Sequence, residues 1–518
     1  MDIDGIKTPA RRSPPRSTDG IVPAAHVRRT PAASKPRLAS PVAVPAAAAV
    51  SNDTAAAESK LFPLPRYYAP ERPAKVTRKR ASKKMVIFRS AAVCLLVLLS
   101  TAGFLGWKAY SKFHKVFHGT STVAALASKP VTPDLLKGEG DGRVNILLLG
   151  IGGPGHDGPD LTDTIMLLSV DPVNNTATML SVPRDLWVNQ PIPYFGSQQK
   201  INAAYESGKY HYLGHNDASS ANAAAVEAGF SNLDAVIKTV LDVNVNYHML
   251  VDFQAFKQAV DTVGGVTVNV PTELYDPTMA WENHNSPILA AAGVQQMNGT
   301  QALLYARSRE TTSDFARGQR QRQILVALKD KVLTAGTLSN PAKIDALMNA
   351  FGDNVYSDLS TQGATRLFSI MQKIGDNNID SIGLTDPPHA LVTTDHVGTT
   401  SVDRPLAGFN DYADIQSYVR SQIPDGYIIK EKAPVTVVGA TTAVATAATT
   451  LLKSYGYDVT ATTTASVSST QVVDLSGGKD PFTLHYLEDR YGVKAVKSSP
   501  AGVTVAPGSA KFIVLTNK

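Results

Sequence analysis

The sequence has 518 residues and a single cysteine, Cys94, which excludes an intramolecular disulfide and any cysteine-built metal cluster. Whatever folds must therefore be held by burial of its core. Nucleotide-loop signatures are also missing. The glycine-rich stretch Gly152-Gly153-Pro154-Gly155-His156-Asp157-Gly158 lacks the Gly-Lys-Ser/Thr ending of a phosphate loop and the spacing of a dinucleotide fingerprint. No Gly-x-Ser-x-Gly elbow stands near a usable His and acid. His211 and His215 are four apart, but Tyr212 stands where a zinc peptidase has its Glu. P-loop nucleotide chemistry, serine hydrolysis and zinc proteolysis are thereby set aside. A strongly basic folded part is lacking too. Met1 to Lys84 holds 17 basic and 6 acidic residues, and the remainder 33 basic and 38 acidic. The basic excess belongs to the N-terminal stretch and gives the rest no electrostatic ground for binding nucleic acid.

That stretch, 1–84, is rich in Ala, Pro, Ser, Thr and Arg and carries no sustained apolar period, which predicts a disordered tail. It ends in Lys75, Arg78, Lys79, Arg80, Lys83 and Lys84. Ser90 to Trp107 then runs eighteen residues without a charge, extendable to Met85 if Arg89 snorkels. The pattern predicts one transmembrane helix over 85–107, with the basic flank cytoplasmic and the C-terminal 400 or so residues outside. A cleaved signal peptide does not begin after eighty residues.

Past a juxtamembrane linker (108–140), Val144 to Leu149 reads as a buried strand ending at Gly150, followed by strands over Thr164 to Val170 and Thr176 to Val182. Phe230 to Val240, Phe253 to Val263, Gln301 to Tyr305 and Gln319 to Val332 carry helical patterns, and Val266 to Val270 alternates as a strand. Strands mixed with helices predict an α/β or α+β domain over 141–380. A loop-rich linker (381–434) leads to a small α/β module (435–518), in which His485, Glu488 and Asp489 fit an exposed helix face.

Candidate chemistry gathers at three points of the middle domain. Asp163 opens a buried strand, where a carboxylate at a sheet rim can ligate Mg²⁺ or serve as a turn residue. Arg184 ends another strand in Ser181-Val182-Pro183-Arg184-Asp185. The third point is an arginine run, Tyr305-Ala306-Arg307-Ser308-Arg309-Glu310, continuing to Arg317, Arg320, Gln321 and Arg322. Arg307 and Arg309 share a face if the segment is extended, and Arg317 and Arg320 share one if it is helical. Paired guanidiniums suit phosphate or pyrophosphate. A solvated basic helix face is the plainer reading of the run as a whole.

Seven ordered motifs, Asn145 to Gly150, Thr162-Asp163-Thr164, Ser181 to Asp185, Lys200 to Tyr205, Val251-Asp252-Phe253, Val260 to Val266 and Tyr305 to Gln321, resemble the LytR-CpsA-Psr family over about 140–335. The segment 435–518 resembles the LytR C-terminal domain, with Gly439-Ala440 in place of an Asn-Gly turn. The resemblance implies a mixed-sheet catalytic domain with helices on both sides. It implies a ligase that moves a glycopolymer, with its proximal phosphate, from a polyprenyl-pyrophosphate carrier to a peptidoglycan hydroxyl, usually the muramic acid C6 hydroxyl. By position Asp163 is implied as a ligand of Mg²⁺ (or Mn²⁺), Arg184, Arg307, Arg309 and Arg317 as the pyrophosphate clamp, and Gln321 as a polar neighbour. The family's second metal-associated Asp is replaced by Gly152, which leaves Asp157 or Asp160 as substitutes. Asp163 and Asp185 are the candidates for the general base. The carrier's tail requires an apolar tunnel, which the Val, Ile and Leu of 233–260 could line, although each of them also suits the core. A pyrophosphatase acting on the same bond, a non-catalytic wall or lipid-binding scaffold, and a membrane-bound transcriptional attenuator are the competing readings. The tail lacks a helix-turn-helix pattern, which weighs against the last.

Overall fold

The computed structural model describes Ser111 and residues 116–127, 130–214, 223–309, 314–333, 341–352, 354–385, 390–499 and 510–517. The transmembrane segment expected over 85–107 lies outside the described residues, as does the expected disordered tail. Among the described residues no helix is long and apolar enough to cross a membrane.

The chain opens with β1 (Val144–Ile151), β2 (Thr162–Asp171) and β3 (Thr176–Val182), an antiparallel meander. A small hairpin, β4 (Trp187–Asn189) with β5 (Gln198–Lys200), leads to α1 (Ala203–Leu213) and α2 (Ala223–Leu241). Next, β6 (Tyr247–Asp252) pairs parallel with β1 and passes straight into α3 (Phe253–Thr262), whose first turn is capped by the Asp252 side chain. An excursion follows: β7 (Val266–Val270), β8 (Leu274–Tyr275), a 3₁₀ turn (Pro277–Glu282), β9 (Ile288–Ala290) and β10 (Gly293–Met297). It returns through α4 (Gly299–Arg307), α5 (Asp314–Leu333) and α6 (Pro341–Phe351). A Cβ at Gly299 would stand 2.2 Å from the Lys257 carbonyl oxygen, so only glycine lets α4 start this close to α3. The domain then adds β11 (Val355–Ser357), α7 (Thr361–Met371) and β12 (Ile379–Gly383).

The six-stranded sheet has the order β11-β6-β1-β2-β3-β12 and mixes parallel with antiparallel pairs. Alternation along β1 divides two cores. Leu147 and Leu149 face α1 and α2 through Tyr205, Phe230, Leu233 and Ile237, whereas Ile146 packs with Leu359 and Ile370 beside α7. Helices therefore cover both faces, and the expected mixed α/β class is present.

Residues 390–423, expected as loop, instead form the hairpin β13 (Val392–Val397) with β14 (Thr400–Pro405) and then α8 (Ala413–Gln422). Val392, Ile415 and Val419 join the same core as Leu147. After α9 (Gly426–Glu431), the C-terminal unit runs β15 (Pro434–Gly439), α10 (Thr442–Ser454), β16 (Asp458–Thr464), β17 (Gln471–Asp474), α11 (Pro481–Tyr491) and β18 (Phe512–Thr516). Its sheet has the order β16-β15-β18-β17. The segment before β1 is packed into this unit: Leu136 lies in its core, and Glu139 accepts two bonds from Arg490 (2.6 and 3.0 Å) and one from the Tyr457 hydroxyl (2.8 Å). Buried Asp425 accepts from the Gly140 and Gly142 amides. His485, expected on an exposed face, is half-buried with Nε2 2.8 Å from the Leu136 carbonyl oxygen.

Candidate active site

The end of β1, the start of β2, the end of β3 and the end of β6 meet at one edge of the sheet, because antiparallel β2 begins where its neighbours finish. Open sheets bind ligands at such edges. The last turn of α4 and the first turns of α5 complete the wall. A polar cavity of about 210 Å³ there is lined by Asp163, Arg184, Arg307, Arg309, Arg317 and Gln321, all six residues singled out from the sequence. Asp276 and Thr278 line it as well, and sequence reasoning missed them; the Asp-Pro of a turn start was their only signal.

Two of the rim carboxylates, Asp163 and Asp185, already hold cations. Arg184 donates through Nη1 to Asp163, and its Nε lies 3.8 Å from Asp185. Lys200 (2.6 Å) and Arg309 (3.1 Å) also bond Asp185. Partial burial raises the Asp185 carboxyl, but Lys200, Arg184 and Arg309 outweigh it and hold the group below its ordinary value. Asp185 is thus an anion among three cations, and a weak proton acceptor for as long as they hold it. Arg307 bonds Glu282 (2.7 Å) and lies over the Phe253 ring, 4.7 Å from its centroid.

The arginine run divides differently from the expectation. Arg307 closes α4, and the backbone turns extended at Ser308 (ψ 136°), so Arg307 and Arg309 reach one cavity from a helix end rather than from one strand. Arg317 faces the cavity and is buried. Arg320 and Arg322, expected as wet surface, are buried too: Arg320 donates to the Tyr305 and Ser308 carbonyls, and Arg322 to the Ser181 hydroxyl at 2.8 Å.

For a divalent cation the donor set is sparse. A Cβ at Gly152 would stand 2.9 Å from the His156 Cβ, so the place of the family's second carboxylate is crowded by His156, whose ring meets Phe253 edge-on. Asp160 is engaged with Lys209 at 2.7 Å, both buried, and Asp157 is exposed on the loop. Among the described residues, no three His, Cys, Asp or Glu side chains converge as a ligand cluster. Asp163 remains as one rim carboxylate. That fits a Mg²⁺ ion sharing its ligands with substrate phosphates, and does not fit an all-protein cage.

A second cavity, about 220 Å³, adjoins the first and shares Thr164, Phe253, Arg307 and Gln321 with it. Apart from Asp252 its other walls are apolar, with Leu148, Met249, Phe256, Leu303, Leu325 and Phe351 among them. Of the apolar residues of 233–260, those of α2 (Leu233, Val236, Ile237, Val240) are core, and the groove takes Met249, Val251, Phe253, Phe256 and Ala259.

Fold and site together define a mixed α/β protein with an arginine-lined cavity beside an apolar groove. The chain belongs to the LytR_cpsA_psr family, which it matches over residues 110–403. It is similar to the Bacillus subtilis (strain 168) polyisoprenyl-teichoic acid–peptidoglycan teichoic acid transferase TagV, with 28% identity over 311 residues, 60% of this chain and 71% of that protein. It is also similar to TagT of the same name and organism, with 28% identity over 322 residues, 61% of this chain and 89% of TagT. Against the crystal structure of B. subtilis TagV, 54% of this chain aligns with 97% of that one at 27% identity and a TM-score of 0.41. The family match ends before the C-terminal unit.

Proposed function

We propose that this protein transfers a glycopolymer, with its proximal phosphate, from a polyprenyl-pyrophosphate carrier to a peptidoglycan hydroxyl, the muramic acid C6 hydroxyl being the expected acceptor. One observation carries the reading: the arginine cavity and the apolar groove share Arg307, Gln321, Phe253 and Thr164, as a ligand with an anionic head and an apolar tail requires. Membership of the family, and relatives named as transferases of this kind, support it.

In this reading Arg184, Arg307, Arg309 and Arg317 bind the pyrophosphate. Arg184 and Arg309 exchange their carboxylate partners for phosphate oxygens as the substrate enters. The acceptor oxygen attacks the phosphorus nearer the sugar. A new P–O bond forms, the bond to polyprenyl phosphate breaks, and the arginines stabilise the charge gathering on the leaving phosphate. Asp163, released from Arg184, is the carboxylate available either to take the hydroxyl proton or to hold Mg²⁺, which would supply further charge neutralisation at the phosphates. The segment 85–107 would anchor the chain with its N-terminus cytoplasmic and the site outside, and 435–518 would be a LytR C-terminal domain.

The test is product analysis with the full chain in detergent, a lipid-pyrophosphate-linked saccharide and peptidoglycan fragments. Release of polyprenyl phosphate should match formation of a saccharide-phosphate-peptidoglycan product, and Arg317→Ala should lower it by about 10²-fold. Release of free saccharide phosphate without acceptor product would make the protein a pyrophosphatase, and binding without turnover a scaffold. Undiminished transfer by Arg317→Ala would remove the clamp assignment.

A further inference from the structure

We propose that Arg320 is a positioning residue for the clamp: its guanidinium fork, held by α5, sets the backbone from which Arg307 and Arg309 project. The inference rests on the proposed function in assigning that clamp a pyrophosphate.

A helix ends with carbonyls that lack partners within the helix. At the end of α4 they are taken up mostly by α5. Arg320 Nε donates to the Tyr305 carbonyl at 2.8 Å, and Nη2 to the Ser308 carbonyl. Gln321 Nε2 donates to the Ala306 carbonyl at 3.3 Å, and the Tyr305 hydroxyl donates to Gln323 at 3.0 Å. The two carbonyls held by Arg320 straddle Arg307, and the second immediately precedes Arg309. Planar, two-pronged donation fixes direction as well as distance, which an ammonium cannot do. Arg320 is only 7% exposed, its guanidinium lies 5.8 Å from the Tyr305 ring centroid, and its charge stands at the negative end of the α4 dipole.

The brace continues across the cavity wall. The buried Ser308 hydroxyl donates to Asp276 Oδ2 at 2.6 Å, and Asp276 Oδ1 accepts from the Thr278 amide (3.1 Å) and hydroxyl (2.6 Å). Burial raises the Asp276 carboxyl, but the bonds from Ser308 and Thr278 outweigh it and keep the group below its ordinary value. Asp276 and Thr278 line the cavity directly, so Arg320, Ser308 and Asp276 join three of its walls. Pre-set donors stabilise a transition state because they need not reorganise during the reaction.

The test compares wild type, Arg320→Lys and Ser308→Ala, with and without Arg309→Ala. Readouts are transfer kinetics, binding of geranylgeranyl pyrophosphate in detergent, and the thermal midpoint. Arg320→Lys keeps the charge and should fold, yet lower kcat about tenfold, with a smaller change in KM and in probe binding. In the Arg309→Ala background the same change should lose most of its effect, because two residues acting through one group are not additive. Wild-type kcat in Arg320→Lys, or the full tenfold loss persisting with Arg309→Ala, would overturn the proposal. If wild type binds the probe but transfers nothing, the proposed function fails. Arg320 is then judged by the same double-variant comparison on probe binding.

Discussion

His248 should make this protein lose stability in mild alkali, in a pH window that the structure defines. The residue lies on β6, 5% exposed, stacked on Phe230 at 4.2 Å with nearly parallel rings. Its Nδ1 is 2.7 Å from Asp358 and its Nε2 is 2.8 Å from Asp234. Two carboxylates can both be satisfied only if both ring nitrogens donate, so the ring is an imidazolium. Burial lowers its pKa, but the two aspartates outweigh burial and push it up to about 9, against an ordinary 6.5. Through linkage that difference is about 3 kcal/mol of stability. Because the folded pKa lies above the unfolded one, the contribution is complete below pH 6.5 and disappears as pH rises through about 9. Urea unfolding of wild type and His248→Gln, measured from pH 6 to 9.5, should give a gap that narrows by about 3 kcal/mol across the window. A gap constant over that range, or a His248 ring resonance titrating near 6.5, would refute the imidazolium.

Leu325→Glu places a carboxylate on the wall of the apolar groove. It should weaken binding of a long-chain polyprenyl pyrophosphate by about 2 kcal/mol while leaving inorganic pyrophosphate binding unchanged, as calorimetry with both ligands would show. Equal losses for both would mean that the groove does not hold the tail. Glu139→Gln removes the charge that pairs with half-buried Arg490 and should cost about 3 kcal/mol, read as a lower denaturant midpoint for the C-terminal unit. An unchanged midpoint would show that the pair contributes nothing net.

Much of the frame could be read from pattern. The runs at 144–149 and 176–182 and the alternation at 266–270 announce β1, β3 and β7, because each is a local record of what the side chains face. β6 escaped notice because His248 interrupts its apolar run, and the aspartates that make its burial tolerable lie 14 and 110 residues away. The stretch 390–423 read as loop because its hairpin is polar outside and borrows a core built by α1 and α2. The six candidate residues were legible through the ordered motifs, and their convergence on one cavity is a property of the β1–β2–β3–β6 edge. Which arginines line the cavity and which bond backbone carbonyls was not legible: Arg317 and Arg320 differ only in which neighbour lies opposite, and spacing does not encode that. An apolar tunnel was expected from the resemblance, but its lining was not legible for the same reason, since the groove's walls come from β1, β6, α3, α4, α5 and α6.

The clasp between the segment before β1 and the C-terminal unit has a consequence for the order in which the chain is completed. Gly140 and Gly142 meet Asp425 across 285 and 283 residues, Leu136 meets His485 across 349, and Glu139 meets Arg490 across 351. During synthesis the early half of each pair must wait until nearly the whole protein has been made, whereas the β1–β2–β3 meander can close at once. The clasp therefore forms late and carries a large loop-closure cost, which its half-buried ion pair and the Asp425 bonds offset. A chain that stops short of Asp425 would leave Leu136 and Glu139 facing water, giving quality-control proteases an early, exposed marker of an unfinished copy.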